Sequence, residues 1–265
     1  MSSTTTVAKP SSRDPLILVG TLAGIALLVV AGWLLVNLLA RDTKVLRASY
    51  ANVRELRIDA DSGDIDLVPA AAGARLTVEE HVTRGLVSPR RDDRLSSGVL
   101  RLGSECRGWF GPSCGVRYVV TVPRQTSVVA ESGSGDVRAD GLAAGTPIEL
   151  STGSGDVKAH DISAPSLRLQ SGSGGVGASD LRVHALRAQS GSGSVGLDLR
   201  EAPEQLLADT GSGDVALTLP DRPYALVAST GSGHVIDSGV HQDTTSPHEV
   251  IARSGSGDVV LSVRH

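Results

Sequence analysis

Aromatic side chains are almost missing from this chain. Trp33, Tyr50, Trp109, Phe110, Tyr118 and Tyr224 are all there are in 265 residues, 2% of the total. Globular cores draw much of their buried area from such rings, about 150–250 Å² each. So few of them point to a narrow interior filled with Val, Leu and Ala. Cysteine is scarce too. Cys106 and Cys114 stand alone, too few for a disulfide-dense scaffold and without the second ligand pair that a structural zinc site needs. Surplus positive charge is the third absence. Lys plus Arg number 25 against 29 Asp plus Glu, a net charge of −4. Beyond residue 40 the counts are 23 and 28, which argues against an electrostatic nucleic-acid binder.

What the chain has in quantity is glycine, 31 residues, in a fixed phrase. Gly-Ser-Gly-x-Val occurs seven times, with successive copies starting 19 to 24 residues apart. The glycine pairs are Gly133 and Gly135, Gly153 and Gly155, Gly172 and Gly174, Gly191 and Gly193, Gly211 and Gly213, Gly231 and Gly233, and Gly255 and Gly257. A period near 20 is the mark of a stacked repeat, in which each unit buries its apolar face against its neighbours.

Alignment on the first glycine assigns a role to each position. Five residues earlier stand Val128, Ile148, Leu167, Leu186, Leu206, Leu226 and Val250; three earlier stand Ala130, Leu150, Leu169, Ala188, Ala208, Ala228 and Ala252. The residue just before the glycine is always Ser or Thr. Spacing by two is the strand period, so these three columns share an inward face. Four residues after the glycine comes an unvarying valine, from Val137 to Val259. Hydroxyl and valine are five apart, an odd number, so the chain must turn a corner at Gly-Ser-Gly to keep both inside. Glycine suits that corner because it reaches positive φ and lets stacked coils approach closely. The expected fold is all-β: a single-stranded parallel β-helix of about 20 residues per coil.

A degenerate eighth copy centres on Ser62-Gly63. It puts Leu56, Ile58 and Ala60 in the inward columns and Ile65 and Leu67 beyond the corner. It is expected to be an atypical terminal coil. At the other end, unpaired backbone near Leu261 and Val263 is expected to offer an edge for self-association.

Residues 16–40 are 25 residues without a charge. As a helix they would extend about 37 Å, enough to cross a bilayer. The competing reading is a cleavable signal peptide, whose apolar core is normally 7 to 15 residues; Leu38-Leu39-Ala40 is a poor cleavage site. Flanking charges slightly favour the large domain inside the cell, although long domains translocate regardless. The cysteines point outward. Cys106 and Cys114 bracket a short Gly/Pro-bearing loop, which reads as a disulfide and hence an oxidising compartment. Two unrelated buried thiols or half a zinc site are the alternatives. The resulting division is a polar tail over 1–15, a transmembrane helix over 16–40, a charged linker over 41–50, an irregular β region over 51–125 and regular repeats over 126–265.

The Ser/Thr-Gly-Ser-Gly-Asp-Val phrase following Leu-x-Leu or Leu-x-Ala strands resembles the DUF4097 family of bacterial β-strand-repeat proteins. So does Tyr118-Val119-Val120-Thr121-Val122-Pro123, which leads into the first full copy. The resemblance covers about residues 50–265. It implies a right-handed β-helix on the bacterial cell envelope and the family's adhesin label. It brings no catalytic or ligand-binding residues.

Chemical readings of the same residues are weaker. Asp64, Asp136, Asp156, Asp214 and Asp258 sit at the motif's variable position, but Gly175, Ser194 and His234 interrupt the column. Calcium needs six to eight converging oxygens, so turn capping through backbone amides is the expected role. No amphipathic helix follows any Gly-Ser-Gly to make a phosphate loop. His81, His160, His184 and His241 fall at unrelated repeat positions. No cofactor, metal or catalytic residue is therefore expected. The leading expectation is a membrane-tethered extracytoplasmic rod, touching wall polymer, another cell or a protein through outward positions such as Arg138, Lys158 and Arg168. A glycan-active β-helix enzyme and a bactofilin-like membrane-bound polymer are the alternatives.

Overall fold

The computed structural model describes residues 19, 22, 24–33, 42–84, 89–106 and 115–264. Contacts divide the chain into two compact units, Met1–Arg41 and Asp42–His265. In the first, residues 24–33 are helical and Ile25, Leu27, Leu28, Val29 and Val30 are exposed. Ten residues extend about 15 Å, against a hydrocarbon core of about 30 Å. No helix among the described residues is long and apolar enough to cross a membrane. The rest of the expected 16–40 span lies outside the described residues.

The second unit holds twenty strands. In chain order they are β1 (Asp42–Tyr50), β2 (Glu55–Ala60), β3 (Ile65–Pro69), β4 (Leu76–Arg84), β5 (Arg90–Ser96), β6 (Val99–Glu105), β7 (Gly115–Val122), β8 (Ser127–Ser132), β9 (Val137–Asp140) and β10 (Ile148–Thr152). Then follow β11 (Val157–His160), β12 (Ser163–Ser171), β13 (Val176–Ser190), β14 (Val195–Leu199), β15 (Gln205–Thr210), β16 (Val215–Leu219), β17 (Ala225–Ser232), β18 (Val235–Ser238), β19 (Glu249–Ser256) and β20 (Val259–Val263). They form two walls of a parallel solenoid that meet at the Gly-Ser-Gly corner. Register is strict: Ile148 lies beside Val128 and Leu167, and Val157 beside Val137 and Val176. The inward columns read from the sequence are buried, from Leu56, Ile58 and Ala60 through to Val250 and Ala252, except in the coil of Leu226, Ala228 and Val235. A third column, Leu142, Ile162, Leu181, Leu199 and Leu219, fills the remaining corner of the interior. Fully burying one such aliphatic side chain is worth about 1.5–3 kcal/mol, so the repeated column is the main driving force for stacking.

Three expectations need correcting. Residues 42–50 are not a linker; they form β1, which runs antiparallel to β4, and β4 in turn runs antiparallel to β7. The copy at Ser62-Gly63 is not terminal. β2 pairs with both β6 and β8, and β3 with both β7 and β9. A further coil, β6 with β7, therefore lies outside it. Leu100, Leu102 and Ser104 stand in its inward columns beside Leu56, Ile58 and Ala60. This coil was hidden because no Gly-Ser-Gly phrase occurs in the sequence between β6 and β7. The described residues thus contain nine coils, about 40 Å from first to last at the inter-strand spacing.

The third correction concerns the opposite end. The chain does not add its last coil last. β19 and β20 lie between β15–β16 on one side and β17–β18 on the other. Leu261 and Val263 are interior to the stack, and the terminal coil is Ala225–Ser238. The long segment from Gly239 to His248 carries the chain back down one level. It is stitched to the upward crossing by Tyr224 N–H to His241 O (2.9 Å) and Asp243 N–H to Tyr224 O (2.8 Å).

Candidate binding surface

The corner explains the invariance of its residues. A Cβ on Gly172 would lie 2.3 Å from the carbonyl oxygen of Gly153, and one on Gly174 would lie 2.0 Å from that of Gly155. Close approach, more than backbone angle, is what excludes side chains. Positive φ is confined to Gly213, Gly233 and Gly257 among the motif's second glycines. The hydroxyl before each pair bonds in two directions. Thr152 Oγ1 donates to Gly135 O of the preceding coil at 2.7 Å and accepts from Gly155 N–H of its own corner at 3.2 Å. Ser171 repeats this with Gly155 O and Gly174 N–H, and Ser190 with Gly174 O and Gly193 N–H. Only Ser or Thr at this site offers both a donor and an acceptor on so short a stem.

The motif aspartates form a second ladder, and it joins neighbouring coils instead of capping its own turn. Asp136 Oδ1 accepts from Asp156 N–H at 2.9 Å, and Asp156 Oδ1 accepts from Gly175 N–H at 2.9 Å. The same bond links Asp214 to Asp258 N–H and Asp258 to His234 N–H, both at 2.8 Å. His234 belongs to the terminal coil, which carries no coil above it and needs no acceptor there. Three of the outer carboxylate oxygens have a cation: Arg117 for Asp64, Arg138 for Asp136 and Lys158 for Asp156. The amide bond from Gly175, followed by Lys158, holds the Asp156 carboxyl below the usual range. These oxygens are spent on amides and cations, the reverse of a calcium cage.

Outward positions are also largely paired. Arg138 reaches Asp66 as well as Asp136, Lys158 sits 3.1 Å from Asp156, and Arg168 sits 3.3 Å from Glu149. At the third corner, Asp180 receives Arg200 at 2.6 Å and Arg264 at 3.1 Å, which depress its carboxyl to about 2. His160 lies beside Ser179 (3.0 Å) and Asp180 (3.7 Å), but both face the same ring nitrogen, Nδ1. A nucleophile–base–carboxylate relay requires opposite nitrogens, so this trio is no triad. His81, His184 and His234 each lie against a carboxylate, Glu79, Glu204 and Asp258 respectively. A depression of about 1020 Å³ is an open groove along the outer face of β5, β6, β2 and β8. Arg57, Arg101, Arg90, Asp59, Asp92 and Glu131 line it, a floor of both signs. Cys106 stands at its rim; no free cysteine occurs among the described residues, and Cys114 lies outside them.

The outer columns change character along the stack. On one wall, Arg101, Arg57, Val129, Glu149, Arg168 and Arg187 give way to Leu207, Ile251 and Val227. On the other, Asp66, Arg138 and Lys158 give way to Gly177, Gly196, Ala216, Val260 and Ile236.

The sequence matches the Toastrack DUF4097 family over residues 49–265. The chain belongs to that family. Among solved structures, this Toastrack chain is similar to a candidate adhesin from Bacteroides fragilis at 17% identity, covering 82% of this chain and 97% of that one, with a TM-score of 0.51. A candidate cell adhesion protein from Clostridium sporogenes matches at 12% identity over 84% of this chain and all of its own, with a TM-score of 0.44. A candidate adhesin from Parabacteroides distasonis matches at 13% identity over 83% and 97%, with a TM-score of 0.45. At 17% identity the likeness to the Bacteroides fragilis structure shows the fold alone. No curated protein matches the chain.

Proposed function

We propose that this Toastrack protein is a non-catalytic binding rod of the bacterial cell envelope, tethered by its N-terminal apolar segment with the solenoid outside the membrane. The observation that carries the reading is the satisfied surface. Corner hydroxyls and motif carboxylates bond between coils, and outward cations such as Arg138, Lys158 and Arg168 pair with nearby carboxylates, leaving flat walls suited to shallow contact repeated at each level. The adhesin label of its structural neighbours supports the same class. The uncharged 25-residue run supports the tether, since it is long enough to span if helical throughout. A Cys106–Cys114 disulfide closing the corner of the outermost full coil belongs to this reading, as does the right-handed winding usual for parallel crossovers.

Thiol labelling in cells making the full chain tests it. After mild reduction, a membrane-impermeant maleimide should modify Cys106 and Cys114 in intact cells, and the chain should sediment with membranes. Labelling only after lysis would place the solenoid inside and favour a bactofilin-like polymer instead.

A further inference from the structure

The last coil, β17 with β18, differs from every coil beneath it. β17 pairs only with β19 and β18 only with β20, so one edge of each wall is free. The interior is open at the same place. Val235, in the column of otherwise buried valines, is 46% exposed, and Leu226 and Ala228 are only half-buried. Val227 and Ile236, 51% and 46% exposed, end the two apolar outer columns there. Natural edge strands are normally guarded by charge, proline or a bulge. β17 (ALVASTGS) contains no ionisable residue.

We propose that this open end is a self-association surface, on which a second copy of the chain docks tail to tail across a two-fold axis. Three observations select that occupant. The opposite end is built differently: it carries the antiparallel strands β1, β4 and β5, and β5 (RRDDRLS) is exposed with five charges in seven residues. Head-to-tail stacking is thereby disfavoured. A single extended peptide covers one wall, whereas another copy of this end presents both walls and an apolar core section together, as an isologous contact requires. Like charges do not oppose it. Asp237, the one carboxylate of β18, is held by Val240 N–H at 2.9 Å and the Gln242 amide at 3.1 Å, and His234 lies 3.5 Å from Asp258.

The inference rests on the binding-rod reading and names a partner for it, yet it is tested separately. The full chain in mild detergent should run as a dimer by light scattering. Val227→Lys with Ile236→Lys should weaken dimerisation at least 100-fold, while Leu95→Lys on exposed β5 should leave it unchanged. All three substitutions replace exposed side chains, and circular dichroism checks that the β fold persists. Ser229→Cys should cross-link to its own copy with a short bismaleimide, and Arg94→Cys should not. A monomer at concentrations on the order of 100 µM, or a dimer that survives the double substitution, would overturn the proposal. So would cross-linking through β5 alone. A failed thiol-labelling experiment leaves each of these outcomes readable.

Discussion

The two ends of the solenoid solve the same problem differently. A stack of parallel coils has an unpaired edge and an open core at each end. At the N-terminal end, antiparallel strands fold over the first coil, and the buried space beneath them holds polar groups. Glu80, only 4% exposed, faces Arg91 and Asp93 from β5, with Tyr118 of β7 and Tyr50 of β1 nearby. At the C-terminal end no strand is added, and the interior stops at Val235 and Asp237. The middle obeys neither pattern, because each coil is both floor and roof. Stability should therefore be most sensitive at the centre, pH-sensitive at the closed end and most tolerant at the open end.

The largest effect should come from Gly172→Val combined with Gly174→Val. Each new Cβ meets a backbone carbonyl that cannot move without unstacking two coils. The expected outcome is loss of the cooperative melt or a Tm lower by well over 10 °C. Gly231→Val also collides with its neighbour, Gly255 O at 2.6 Å. There the terminal coil can fray without breaking the stack, and the Tm loss should be a fraction of the central one. Equal losses at both sites would remove the distinction between centre and open end.

Next is Thr152→Val, which keeps shape and removes both hydroxyl bonds. Gly135 O and Gly155 N–H lose a partner at a part-buried corner, costing about 1–3 kcal/mol, or roughly 3–8 °C in a domain of this size. Thr230→Val in the terminal coil loses the bond to Gly257 O and should cost less, since water reaches that corner.

The closed end should reveal itself through pH. Burial, the largest influence, pushes the Glu80 and Asp93 carboxyls up, against the pull of Arg91. A carboxyl whose folded pKa is raised binds its proton more tightly in the native state. Its contribution is thus most favourable below the ordinary carboxylate range and declines as pH rises through the folded value. Asp180 runs the other way: depressed to about 2 by Arg200 and Arg264, it favours the fold above the ordinary range and loses that as pH falls toward 2. Glu80→Gln should flatten the decline on the alkaline side of pH 4–5 and leave the acid limb intact. Thermal melts between pH 2 and 8 separate the two limbs.

How much of this the sequence disclosed depends on whether an interaction repeats. The inward columns, the glycine corner and the degenerate coil at Ser62-Gly63 were legible, because identical positions recur at a fixed period. The coil formed by β6 and β7 was not, since no Gly-Ser-Gly phrase stands between them to reveal it. The insertion of β19 and β20 was invisible for a different reason. Coils at Gly231 and Gly255 carry closely similar inward residues up to the valine beyond the corner, Leu226, Ala228, Thr230 and Val235 against Val250, Ala252, Ser254 and Val259, so the period alone does not rank them. Two oddities did hold the clue. Asp237 stands in an otherwise apolar column, and His234 gives the acceptor column its one bulky ring, both in the coil on which nothing stacks. The surface was the least legible part, because its pairs, such as Arg264 with Asp198 and Asp180, join distant coils.

The smallest effect should be Asp136→Asn, and its smallness is informative. Asn keeps an oxygen at the position of Oδ1, so the bond from Asp156 N–H at 2.9 Å survives. What is lost is an exposed ion pair with Arg138, and such pairs are worth about 0–1 kcal/mol. The expected Tm shift is therefore no more than about 2 °C, with or without millimolar calcium. Asp136→Leu removes the acceptor itself and strands the Asp156 amide, so it should cost more than Asn, about 1–3 kcal/mol. If the ladder is structural, Asn and Leu must differ while calcium changes neither. A parent protein whose melting rises steeply with calcium, and an Asn variant that loses this rise, would mean the column binds cations between coils.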